Sequence, residues 1–265
     1  MATNKILLSI VLASAAAAAH ADVTVNTTTS GKASFIDVGG TGVISIKGAR
    51  QRSDQAVGGK NQALIIDIDG RRFVSIDDKK KSATVTPLDS IADELQKVGV
   101  GTINATLTKT AQTKTIAGFP CTVHDIQLSL PFSPTGQTGQ GMDLNMLLTG
   151  TVCLGTTVPG LADYQNFYKA AADSGFIFGD PRAAKSPTGA AQAKAYAEIT
   201  RKMAEGGMAL ESEINIDASG DSPMAGMFSK LAKSHIVTTV TGVTAGDVAP
   251  DKFEIPAGYK VKNQK

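Results

Sequence analysis

Two cysteines and the pattern between them constrain this chain more than anything else in it. Cys121 and Cys153 flank a Pro/Gly-rich stretch, PFSPTGQTGQG, running from Pro131 to Gly141. On either side of that stretch, apolar and polar residues alternate with the period of a β-strand. Antiparallel pairing about a centre near Gln137 sets Ile126 opposite Leu148, Leu128 opposite Met146, and Leu130 opposite Leu144. The same register sets Cys121 directly opposite Cys153. Apolar matching and cysteine matching are independent, and together they select one hairpin register. Both cysteines then fall on the more polar face, with Asp125, Gln127, Ser129, Asn145 and Thr149. The chain has no other cysteine, which excludes a Cys-rich scaffold and a four-Cys zinc site. There is no C-x-x-C, so the expected Cys121–Cys153 disulfide is structural rather than redox-active. In the chain-entropy account it stabilises the fold by about 3–4 kcal/mol.

Such a bridge needs an oxidising compartment, and the N-terminus reads as the address for one. Lys5 supplies a short positive region, and Ile6 to Ala19 is apolar apart from small Ser. Ala19-His20-Ala21 has the small-x-small form of a cleavage site, with Asp22 as the first mature residue. The reading is a secretory signal over residues 1–21 and a single domain over 22–265, localised to the periplasm, with the extracellular space as the alternative. No Cys follows the cleavage point, so lipidation is not expected. The apolar run is too short to span a bilayer comfortably and no second one follows, so no transmembrane anchor is expected after cleavage. Charge nearly cancels, with 26 Lys+Arg against 24 Asp+Glu, and no basic stripe marks a nucleic-acid surface.

Period-two alternation recurs along the chain. Met208, Leu210, Ile214 and Ile216 alternate with Glu211, Glu213, Asn215 and Asp217. Leu64, Ile66 and Ile68 alternate with Asp67 and Asp69, although Ile65 interrupts them. Asp69-Gly70 signals a hairpin, and a three-residue loop there sets Ile66 opposite Val74 and Leu64 opposite Ile76. Asp77 to Lys81 reads as the next turn, a solvated tip. Helices are few: a short one over Ser90–Val98, one whose face is Leu161, Tyr164, Phe167, Tyr168 and Ala171, and one from Pro187 to about Glu205 stopped by Gly206-Gly207.

Catalytic constellations are missing. After the signal, His124 and His235 are the only histidines, and neither has a second His at metal-ligand spacing. Adjacent strand residues His124 and Asp125 point to opposite faces and form no dyad. Gly220-Asp221-Ser222-Pro223 places Pro where an oxyanion hole needs a backbone N–H. The Gly-rich stretches lack the features of a P-loop or G-x-G-x-x-G motif. Glu211 and Glu213 share one exposed strand face and read as solvated. No catalytic residue, metal ligand or cofactor is assigned.

Four stretches together resemble a known family: IKGARQR (Ile46–Arg52), IIDIDGRRFVSIDDKKKSATVTPLD (Ile65–Asp89), KTIAGFPCTVHDIQL (Lys114–Leu128) and KFEIPAGYK (Lys252–Lys260). They look like the bacterial secreted domain-of-unknown-function 4412 family, itself similar to periplasmic lipoprotein carriers of the LolA/LolB type. The family's G-Y-P-C element appears as Gly118-Phe119-Pro120-Cys121, and its closing F-x-I-P-x-G-Y as Phe253 to Tyr259. Its G-M-P-L strand start appears as Gly207-Met208-Ala209-Leu210, with Ala in place of Pro, and the segment around Cys153 departs from the pattern. The resemblance implies an α+β fold: a strongly curved antiparallel sheet, an unclosed barrel, with two to three helices covering its concave face. It implies a periplasmic, non-enzymatic carrier or binder of a lipid or other apolar ligand. The apolar inner face then makes Ile126, Leu128, Met146, Leu148, Met208, Leu210 and Ile214 the candidate cavity lining. Two rivals accompany this reading. One is an envelope protein–protein interaction or sensory module using the Pro131–Gly141 loop and MAGMF (Met224–Phe228); the other is an unrecognised hydrolase.

Overall fold

The alternating segments form strands, and the strands join into one sheet. The computed structural model describes residues 22–33, 36–57, 60–87, 104–132, 144–174, 187–220, 229 and 233–264. The expected signal segment, the short helix over Ser90–Val98, most of the Pro131–Gly141 loop, the serine-containing turn after Gly220 and MAGMF lie outside the described residues. In chain order the strands are β1 (Val23–Ala33), β2 (Ile36–Asp37), β3 (Gly40–Lys47), β4 (Arg50–Val57), β5 (Lys60–Asp67), β6 (Arg72–Asp77), β7 (Ser82–Pro87), β8 (Asn104–Ile116), β9 (Phe119–Phe132) and β10 (Leu144–Gly155). Helices α1 (Leu161–Asp173) and α2 (Pro187–Gly206) follow, then β11 (Met208–Gly220), β12 (Ser234–Ala245), a 3-10 turn (Pro250–Phe253) and β13 (Lys260–Asn263).

The sheet runs β13-β7-β6-β5-β4-β3-β1-β12-β11-β10-β9-β8, with β2 beside β1. Every neighbouring pair is antiparallel except β13 on β7. Strands β13 and β8 end the order, so the sheet is unclosed. The α+β class and the unclosed, curved, largely antiparallel sheet match the sequence expectation. Among the described residues there are two α-helices.

Two registers differ from the expected ones. In the β5–β6 hairpin, Ile66 faces Phe73 and Ile65 faces Val74, a slip of one residue. The loop is longer than expected because Asp67 shapes it: its Oδ1 accepts the Gly70 N–H at 2.8 Å, its Oδ2 accepts Arg72 Nε at 3.0 Å, and Arg71 takes φ 47°. A one-residue slip exchanges the two faces. Both faces are covered here, so Ile65 and Ile66 are both buried and no apolar side chain is stranded.

In the β9–β10 hairpin the slip is two residues. Leu128 faces Leu148, Leu130 faces Met146, and Cys153 faces Val123 rather than Cys121. A two-residue slip keeps every side chain on its face, so apolar matching survives it. The disulfide forms nonetheless, diagonally, with the Cys121 and Cys153 Cα atoms 5.3 Å apart. The cysteines are not on a wet face. They are 4% and 2% exposed and belong to the cluster that includes Phe167 and Ala171 of α1. The covered face of β9 changes along its length: Cys121 and Val123 are buried first, then Ile126, Leu128 and Leu130. These two sets point to opposite sides of the strand.

Three apolar clusters result. The first gathers Val23, Val25, Ile46, Ile66, Phe73, Met208, Leu210 and the cystine with α1. The second gathers Ile126, Leu128, Leu130, Leu148, Val152 and Leu154 with Ala195 and Ile199 of α2. The third, Ala63, Ile65, Val74, Ile76 and Ala83, is joined by Ile255 and Tyr259 from the C-terminal segment. That segment crosses the outer face. Phe253 is buried under the Arg50 guanidinium, 5.2 Å from its ring centroid, and Tyr259 donates its hydroxyl to Asp78 at 2.8 Å. A bulge between Cys153 and Leu154 on the β10–β11 ladder makes Leu210 an extra residue. This divides the expected alternating set: Met208 and Leu210 join the α1 cluster, while Ile214 and Ile216 join the α2 cluster.

Candidate functional site

Strand register fixes which side chains share a face, and here it separates charge from neutrality. The strands β4, β3, β1, β12, β11 and β10 are contiguous in the sheet. On them, Lys32, Lys47, Arg50, Arg52, Asp54, Glu211, Glu213, Asp217 and His235 all fall on one register face, the outer one over most of the sheet, although at Glu211 the same face carries the buried Cys153. The inner face of these six strands carries no charged side chain among the described residues. Outer-face ions pair with one another: Arg52 with Asp54 at 2.8 Å, Lys47 with Asp247 at 2.7 Å, and Lys114 with Glu211.

The inner face is graded in rows across the strands. One row reads Val23, Ile46, Gln51, Ile66, Phe73. The next reads Val25, Ile44, Ser53, Leu64, Ser75, and the one after it Thr27, Gly42, Gln55, Gln62. The first row is apolar except for its middle member and is buried throughout. The third is polar, and it borders a pocket of about 240 Å³ lined by Thr27, Thr29, Val38, Thr41, Gly42, Gln55 and Ile236. Strand β4 therefore lays a polar stripe, Gln51–Ser53–Gln55, from the pocket into the apolar wall.

Gln51 is the conspicuous member of that stripe. It is 6% exposed, and its Oε1 is sealed from solvent with no hydrogen-bond partner. An unpartnered buried acceptor costs about 1–3 kcal/mol, while its cross-strand neighbours Ile46 and Ile66 show that an apolar residue is accommodated in this row. Ser45 Oγ, on the outer face, is the other such oxygen among the described residues.

Helix α1 presents Tyr164, Phe167, Tyr168 and Ala171 to the first cluster. The Tyr164 and Tyr168 rings lie 4.5 Å apart, and Tyr168 meets Phe167 edge-on at 5.4 Å. Burial pushes the Tyr164 hydroxyl up to about 12, partly offset by the Ala209 N–H donated to it. Burial also holds Tyr168 well above the ordinary phenol range and raises Tyr196. These hydroxyls are neutral at physiological pH. Their folded values exceed the unfolded value of 10, so their contribution is complete below pH 10 and is lost as pH rises toward 12 and beyond. Alkaline titration at 295 nm is expected to show little phenolate near pH 10, then a steep rise coinciding with loss of the β-sheet circular dichroism signal.

The structure does not gather the seven expected lining residues into one place. Ile126, Leu128, Met146, Leu148 and Ile214 pack in the α2 cluster, whereas Met208 and Leu210 pack in the α1 cluster. None of them lines the pocket on the inner face, or the one of about 280 Å³ bordered by Asn61, Gln62, Ser75, Ile76, Asp77 and Lys79. His124 Nδ1 lies 2.9 Å from the Thr122 carbonyl, and His235 Nδ1 lies 2.9 Å from Asn215 Oδ1. They sit on opposite faces of the sheet. The stripe on β4 was absent from the sequence reading although its signal was there. RQRSDQAV is polar at both parities up to Ala56 yet lies between strongly apolar strands. No protein-family model matches the chain, and no curated protein matches it.

Proposed function

We propose that this chain is an exported, non-enzymatic binder or carrier of a lipid or other apolar ligand, held against the inner face of the sheet beneath α1 and α2. The observation that carries the reading is the neutrality of that face across six contiguous strands while the outer face holds the charge. Beyond that apolar floor the row Thr27, Gly42, Gln55, Gln62 forms a neutral, partly exposed polar rim, three of whose members line a pocket. A wall that receives an amphipathic guest needs both an apolar floor and a neutral polar rim. The N-terminal segment reads as a signal for the periplasm, where the cystine is stable. The resemblance to the family similar to lipoprotein carriers points the same way. The test is titration of the mature chain with N-phenyl-1-naphthylamine, an uncharged dye that brightens in apolar surroundings. Saturable brightening supports carriage; its absence, with a bare mass in native mass spectrometry, refutes it.

A further inference from the structure

Gln51 stands out because its position favours an apolar residue and its acceptor is left without a donor. A buried polar group normally finds a partner. Here the protein supplies none, and Oε1 is sealed away from water as well. Gln51 is flanked across the sheet by Ile46 and Ile66, themselves 0% and 2% exposed. Two and four residues on along the same face of β4 come buried Ser53 and then Gln55, and of the three only Gln55 lines the pocket. A guest that lies along this stripe with its chain on the flanking apolar residues places its polar end at Gln51.

The missing partner is a donor, so the guest must carry an O–H or N–H. The inner face of the six strands holds no cation among the described residues, so nothing there compensates a buried carboxylate or phosphate. Resting on the carrier reading above, we infer that the Gln51 amide is the polar anchor of the inner-face site. The ligand class it selects is an uncharged long-chain amphiphile with a hydroxyl or amide N–H head, rather than a fatty acid or phospholipid anion. Binding has to part the α1 cluster to reach the sealed acceptor. A polar tether from α1 to α2, Gln165 Nε2 donating to the Ala204 carbonyl at 2.7 Å, links the two helices that would have to move.

The experiment is displacement of N-phenyl-1-naphthylamine from the mature chain by 1-monolauroylglycerol and by laurate, which share a chain length and differ in charge. Wild type is expected to release the dye to the glycerol ester at a concentration at least tenfold lower than to laurate, on the order of 1.4 kcal/mol of discrimination. Gln51→Leu is expected to raise the denaturation midpoint and to lose that preference, the ratio of the two displacing concentrations being read against each variant's own dye affinity. Gln51→Met, closer in shape, is expected to behave alike and guards against a packing effect peculiar to Leu. Equal displacement by the two amphiphiles in wild type overturns the inference, and so does a preference that both variants retain. If wild type takes up no dye, the carrier reading itself fails and this inference falls with it. Uptake without discrimination removes the inference alone.

Discussion

Reducing the Cys121–Cys153 bridge is expected to lower stability by about 4 kcal/mol. The bridge spans a sequence separation of 32, and in the chain-entropy account a closed loop of that size restricts the unfolded ensemble by about that amount. The folded state gains little to offset the loss. Both cysteines are buried against the α1 cluster, so the freed thiols are held in an apolar site with no solvent access. A domain stable by about 5–15 kcal/mol loses a large share of its margin. Urea unfolding of oxidised and reduced protein, or of the double variant Cys121→Ala with Cys153→Ala, checks this. The midpoint is expected to fall, and the slope to steepen because the uncrosslinked chain exposes more surface. An unchanged midpoint would show that the hairpin register is fixed without the bridge.

Gly150→Ala is expected to be at least as damaging, for a steric reason. Gly150 sits in the middle of β10 between Ile126 of β9 and Ile214 of β11, at φ 154°. A Cβ there falls 1.8 Å from the Glu213 carbonyl oxygen, which is backbone of the neighbouring strand. Relief requires β10 and β11 to separate where they carry the α2 cluster, a loss of about 4 kcal/mol or more. Gly48→Ala is the informative control. Gly48 has φ 56° but nothing within 4 Å of the added carbon, so only the left-handed backbone penalty of about 1–2 kcal/mol remains. Thermal midpoints ordered wild type, then Gly48→Ala, then Gly150→Ala are the expected result. Equal losses at the two glycines would mean that the ladder yields to the clash.

The strands were legible because one-sided burial writes itself as alternation, and the two helices because their faces repeat at helical spacing and end at Ser174 and at Gly206-Gly207. Register was harder. At Asp69-Gly70 the turn residues announce a hairpin, but the carboxylate of Asp67 sets the loop length, and no local propensity encodes that contact. At the cysteines, direct opposition was the simplest geometry; the chain uses a diagonal one, which apolar matching does not distinguish from it. The expected lining failed for a related reason. One bulged residue at Leu210 redirects Met208 and Leu210 away from Ile214 while leaving the alternation in the sequence undisturbed. The charge-free wall, by contrast, is a property of six strands in register. It emerges only when distant segments such as β1 and β12 are known to be neighbours.

The claim that the inner face receives the ligand is tested most directly by placing one charge on each side of the same strand. Thr27 lines the inner pocket, and its hydroxyl donates to the Gly42 carbonyl at 3.4 Å. Thr28, its neighbour, points outward and donates to the Thr239 carbonyl at 3.5 Å. Thr27→Lys is expected to weaken N-phenyl-1-naphthylamine uptake by at least tenfold at unchanged circular dichroism, while Thr28→Lys binds the dye as wild type does. Dye uptake insensitive to Thr27→Lys, or lost only in Thr28→Lys, would contradict the account.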